Sequence, residues 1–155
     1  MAKTLVVATV LWPLLLGAAV WANVRGGDAR WTALVYLAGS RVCHQRPDRS
    51  FHTAGVRWPV CGRCSGLYLA APVGALVAAA AVKRRASAPS AMRLLGLAAV
   101  PTVATIALEW PGLVPISNLV RAIAALPLGA AIAFVLVQTS RPVPQNQSSK
   151  LTADG

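Results

Sequence analysis

All three cysteines and both histidines of this 155-residue chain fall between residues 43 and 64. They stand in Cys43-His44-Gln45-Arg46-Pro47-Asp48-Arg49-Ser50-Phe51-His52 and in Pro59-Val60-Cys61-Gly62-Arg63-Cys64. Thiolate and imidazole donors together suit a tetrahedral zinc or another borderline-soft ion. Cys61 and Cys64 have the short spacing that lets two sulfurs reach one ion, and Cys43 with His44 or His52 would complete four ligands. A second close pair is missing, so a redox-active Cys61–Cys64 pair and thiols that merely pack both stay open. Ser65 stands where a c-type haem motif requires histidine, which excludes that site. Pro59 suits the first turn of a helix, which would set Cys61 and Cys64 at its positive end. That position, with Arg57 and Arg63 nearby, favours thiolate. On such a helix Cys61, Cys64 and Tyr68 share one face.

A second group of polar residues lies beside apolar runs. Glu109 is the only acidic residue flanking the third run, and Arg121 begins the fourth, one turn after Ser117 and Asn118. A charge at membrane depth is costly and usually pairs or lines a polar cavity. Glu109 and Arg121 are therefore expected to be neighbours. With Gln45, Arg49, Ser50, Arg63, Tyr68 and Asn118 they are expected to form one polar pocket at the membrane face that also carries the cysteines. The plainer alternatives are that Glu109 and Arg121 only end a helical hairpin and that Tyr68 is an interfacial anchor. Arginines inside the dense motif, Arg49 and Arg63 above all, suit phosphate or anionic lipid headgroups.

The elements that position these residues follow from composition. Hydrophobic residues make up 56% of the chain and charged residues 12%, about half the charged share of a soluble domain. Fifteen basic against four acidic residues give a net charge of +11. The basic residues interrupt long uncharged runs instead of lining a soluble face, so nucleic acid is not the expected partner. A membrane span needs about 20 apolar residues, and four runs qualify, near residues 4–22, 64–82, 94–110 and 119–138. Each contains one proline (Pro13, Pro72, Pro101, Pro127), tolerated where neighbouring helices satisfy the freed carbonyls. The expected fold is all-α: a polytopic membrane protein with about four transmembrane helices in one domain, residues 1–140.

Gly62, Gly66, Ala70, Gly74 and Ala78 recur every four residues, as do Ala125, Gly129 and Ala133, and such stripes let helix backbones approach closely. Between the first two spans, a loop over 23–63 carries the cysteines and histidines. Within it, Trp31 to Val42 follows helical spacing but is too short to span, which predicts an interfacial or re-entrant helix. The polar stretch 141–155 is expected to be disordered. Basic residues divide almost equally between the two sides. The Lys83-Arg84-Arg85 cluster and the signal-anchor-like start favour cytoplasmic termini in a multi-pass protein of the cell (plasma) membrane.

The run CHQRPDRSF (Cys43 to Phe51) followed by PVCGRCSGLYL (Pro59 to Leu69) resembles an uncharacterised family of small prokaryotic integral membrane proteins, domain of unknown function 2085. Glu109 through Ser117-Asn118 and Arg121, with Gly129, is similar to that family's second motif. There an aspartate followed by glycine is more typical, whereas Glu109 here precedes Trp110-Pro111-Gly112. The resemblance spans about residues 35 to 135 and implies a membrane-embedded fold built around these motifs, without naming a reaction. Three function classes remain: a metal- or thiol-dependent membrane protein with zinc as the expected ion, a binder, transporter or processing enzyme for anionic lipid or lipid phosphate, and a structural or assembly factor. Oligomeric state is not legible.

Overall fold

Four helices in the computed structural model are long and apolar enough to cross a membrane: α1 (Ala2–Val24), α3 (Gly62–Ala80), α4 (Ala88–Glu109) and α5 (Asn118–Thr139). A fifth, α2 (Ala29–Val42), lies between α1 and α3. The structure describes residues 1–81, 87–112 and 114–141. The Lys83-Arg84-Arg85 cluster and nearly all of the tail expected to be disordered lie outside them. The protein is thus a helical, multi-pass membrane protein, as its charge-free runs imply.

The four spans run through their internal prolines without a break. Their ends differ from the sequence boundaries where capping decides them. α4 begins at Ala88, behind Ser87 and with Pro89 in its first turn, where a missing N–H leaves nothing unsatisfied. Arg93 is consequently inside the helix instead of bounding it. α5 begins at Asn118, capped by the Ser117 side chain, which accepts from Val120 N–H and so satisfies one orphan donor of the first turn.

Helices α3 and α5 form the most extensive contact in the molecule, and they run parallel in close register. Gly62 faces the Asn118 backbone, Gly66 that of Ala122, Gly74 that of Ala130, and Gly129 that of Leu67. The small-residue stripes therefore pack within the chain. Water-driven burial contributes little between helices in lipid, so this close backbone approach has to supply van der Waals contact directly. A Cβ on Gly74 would overlap the Ala130 carbonyl oxygen. Gly74→Ala is thus expected to destabilise the protein by about 2 kcal/mol, an overpacking cost. Thermal unfolding in mild detergent measures it, with Gly96→Ala, where a Cβ meets open space, as the neutral comparison. Helix α4 joins the α5 side, where Thr102 Oγ1 donates to the Ala124 carbonyl at 2.9 Å, and α1 packs on α3.

The segment between α1 and α3 is more ordered than a loop. After α2 come a 3₁₀ turn at Pro47–Arg49 and two antiparallel strands, β1 (Ser50–Thr53) and β2 (Val56–Cys61). Ala54 and Gly55 both have positive φ, 48° and 79°, the requirement of a two-residue hairpin turn that matches strand twist. Thr53 pairs with Val56, His52 with Arg57 and Ser50 with Cys61, leaving a bulge on β2. Pro59 sits in that bulge and is fully buried, which corrects its expected place in the first turn of α3. Without an N–H it cannot serve a regular ladder, and a bulge asks for none.

Candidate metal centre and arginine pocket

Cys43 caps the C-terminus of α2, Cys61 ends β2 and caps α3, and Cys64 lies in the first turn of α3. The hairpin register carries Cys61 back beside the end of α2. As a result the three sulfurs lie within 4.8 Å of one another. All three are free thiols, Cys43 being buried and the other two half-buried. Tetrahedral zinc, with Zn–S near 2.3 Å, sets its sulfurs about 3.8 Å apart, so the cluster is of a size to hold such an ion. Cys43 Sγ accepts from Cys61 N–H at 3.2 Å and from Gln45 N–H at 3.5 Å. Such outer contacts orient a liganding sulfur. The Cys61 thiol is lowered to about 5, first by a hydrogen bond from the Cys64 side chain and then, against burial, by backbone N–H groups of Cys64 and Arg63 and by Cys43.

Neither histidine belongs to the trio of sulfurs. His44 is exposed but lines the same cavity as the three cysteines, together with Gln45, Arg46, Arg49 and Arg63. His52 is exposed on β1, opposite Arg57. Leu16, Val60 and Trp12 pack around the sulfurs, and Tyr68 joins them from α3. Tyr68 meets Trp12 edge-on at 6.0 Å and lines a separate apolar cavity between α1, α3 and α5, not the cavity that holds the arginines.

The remaining polar residues divide into anchors and charges. Gln45 donates from Nε2 to the carbonyls of Tyr36 and Pro59, both at 2.7 Å, tying α2 to the hairpin. Its backbone has φ 47°, a left-handed turn that aims the amide inward. Tyr36 supports the same junction through a hydrogen bond from its hydroxyl to the Arg57 carbonyl. Ser50 is buried and donates to the Arg46 carbonyl at 2.9 Å. Asn118 Nδ2 donates to the Ser50 carbonyl at 2.9 Å, and its Oδ1 accepts from Arg121 Nη1 at 2.5 Å. Asn118 thus links the hairpin to the charged group.

That group is one carboxylate among three guanidiniums. Glu109 Oε1 accepts from Arg121 Nη2 at 2.7 Å and Oε2 from Arg63 Nη2 at 2.6 Å. Arg121 Nε adds a longer contact to Oε2 at 3.4 Å, and Arg49 Nη2 approaches Oε1 at 3.2 Å. The expected Glu109–Arg121 pairing is present, and the ends of α3, α4 and α5 meet there with the 3₁₀ turn. Side-chain exposure is 13% for Glu109, 10% for Arg121 and 17% for Arg63. A cavity of about 290 Å³ opens beside them, lined by Arg49, Arg63, Ile106, Glu109 and Trp110. Ile106 and Trp110 were not legible as site residues: their types alone suggest only lipid contact.

A family described as a predicted membrane protein family, DUF2085, matches residues 43–135. The match begins on Cys43 and contains every cysteine, Arg49, Arg63, Glu109 and Arg121. The chain belongs to the DUF2085 family. It is also similar to an uncharacterized protein of Methanocaldococcus jannaschii, 42% identical over 43 residues, which is 28% of each chain. A second uncharacterized protein, of Methanothermobacter thermautotrophicus, is 50% identical over 30 residues, 19% of this chain and 27% of the relative. The chain thus aligns with little more than a quarter of either relative's length. No solved structure matches it significantly.

Proposed function

We propose that this DUF2085 protein is a metal-binding protein of the plasma membrane in which Cys43, Cys61 and Cys64 hold one divalent ion, zinc by the softness of the donor set. The convergence of three sulfurs within 4.8 Å, from positions up to 21 residues apart, carries the reading. Burial of Cys43, the N–H donors on its sulfur and the hydrogen bond that lowers the Cys61 thiol support it further. His44 is the favoured fourth ligand, because it lines the cysteine cavity, whereas His52 lies on the hairpin. A fourth position filled from solution would leave the site open to exchange, the arrangement of zinc sites that act on substrates.

Metal content and free-thiol count on one sample, purified in mild detergent, test the proposal. About one zinc per chain is the expected result, as for a single tetrahedral site. Absence of metal with one free thiol would assign a Cys61–Cys64 disulfide instead, and absence of metal with three free thiols would leave a packing cluster. Either outcome overturns the metal reading.

A further inference from the structure

The pocket around Glu109 is over-supplied with positive charge. Arg49, Arg63 and Arg121 face it, and among the described residues Glu109 is the only carboxylate they share; with Arg46 and Asp48 beside them, four guanidiniums meet two carboxylates, leaving a surplus of two positive charges. Nearby Arg46 and Asp48 offset one another at 3.4 Å on the exposed side. Arg49 Nε lies 3.6 Å from Asp48 Oδ2, outside hydrogen-bonding geometry. Among the described residues, three buried side-chain polar atoms have no hydrogen-bond partner, and two of them are Arg49 Nε and Arg63 Nε. Buried donors rarely stay unpaired without a role, since each forfeits its hydration. Both arginines line the same cavity of about 290 Å³, roughly the liquid volume of ten waters.

We infer that this cavity is an anion site in which Arg49 and Arg63 bind a phosphate group. Planar guanidinium forks match phosphate oxygens two at a time, and a surplus of two charges suits a phosphate dianion. Arg49 and Arg63 also border the cysteine cavity. A zinc ion with three thiolates would carry one negative charge, so a net positive charge remains for the anion. The inference needs only the arginines and stands apart from the metal reading. The rim shows where a phosphate could enter. Ile106 is 41% and Trp110 87% exposed, and a tryptophan at the end of a span belongs at headgroup depth. The phosphate group could be that of a membrane lipid or a free ion.

Calorimetric titration of inorganic phosphate into the full chain, in phosphatidylcholine nanodiscs, reads the free ion. Lipid analysis after reconstitution with phosphatidic acid and exchange into phosphatidylcholine reads the headgroup. Arg49→Gln and Arg63→Gln are expected to weaken whichever binding is seen by about tenfold or more, as for loss of a charge-assisted contact. Arg49 is the safer variant for folding, being the most exposed of the three. Arg41→Gln, the same charge change on the exposed end of α2, should leave binding unchanged. Binding of free phosphate supports an ion site, and retention of phosphatidic acid alone supports a headgroup site. Absence of both, or an equal loss in Arg41→Gln, overturns the inference.

Discussion

Glu109→Gln is expected to destabilise the protein by about 3–5 kcal/mol, the range for removing one partner from a buried ion pair. The carboxylate is the shared partner of three guanidiniums that approach it from three elements: Arg49 from the 3₁₀ turn, Arg63 from α3 and Arg121 from α5. Glutamine keeps the volume and loses the charge, so three like charges are left in one largely buried pocket. The contacts that close the pocket would then repel. Double replacement, Glu109→Gln with Arg121→Gln, should recover part of the loss, because it removes the charge that the carboxylate pairs with most fully. Asp48→Asn is the matched control. Its contacts with Arg46 and Arg49 sit on a side chain 58% exposed, where ion pairs are worth about 0–1 kcal/mol. Thermal unfolding midpoints in one detergent compare the three variants. A shift for Glu109→Gln no larger than that for Asp48→Asn would refute the account. In whatever fraction remains folded, phosphate affinity should rise, because the pocket has lost its only internal anion. Stability and anion binding therefore move in opposite directions in this variant.

The legible parts of this protein are those dictated by local chemistry. Four charge-free runs gave four helices because hydrocarbon admits no other use for them. The Gly62–Ala78 stripe gave the α3–α5 contact because it had no side chains to hold the backbones apart. Glu109 and Arg121 found each other because unpaired charges at span ends are costly. The hairpin is less legible, although its signals are present: Ala54-Gly55 lies between Phe51-His52-Thr53 and Val56-Arg57-Trp58, a two-residue turn flanked by strand formers. Pro59 suggested a helix start and obscured that pattern. Losing the hairpin also hid its register. Only the Ser50–Cys61 pairing shows that Arg49 comes beside Arg63 and that Glu109 therefore serves three arginines, not one. Choosing between His44 and His52 likewise requires the turn at Gln45 and the strand at Ser50–Thr53, which the spacing of metal ligands does not encode.

Cys64→Ser is expected to abolish bound metal and loosen the segment from Cys43 to Cys61 while leaving the spans assembled. Structural zinc contributes about 10–16 kcal/mol of apparent binding free energy in small sites, so loss of a ligand is a large change for a segment with little core of its own. What would remain holding that segment is the packing of Val60 and Cys43 against Leu16 and a few polar ties, among them Cys61 N–H to Cys43 Sγ, Gln45 to Tyr36 and Pro59, and Asn118 to Ser50. The α3–α5 contact uses glycines and backbone instead of sulfur, so helical content should hold. Tyr68→Phe keeps the ring that packs against Trp12 and should keep the metal. Chelation of the wild-type protein should reproduce the Cys64→Ser behaviour. Acidification should as well, in a definite direction: the sulfurs ligate as thiolates, so protons compete with the ion as pH falls, least readily at Cys61, which the Cys64 hydrogen bond holds below the usual thiol range. Metal content and hydrogen exchange over residues 43–61 report both effects. Metal retained by Cys64→Ser, or exchange over this segment unchanged when chelator removes the ion, would show that the three sulfurs neither share an ion nor fasten the hairpin to the bundle.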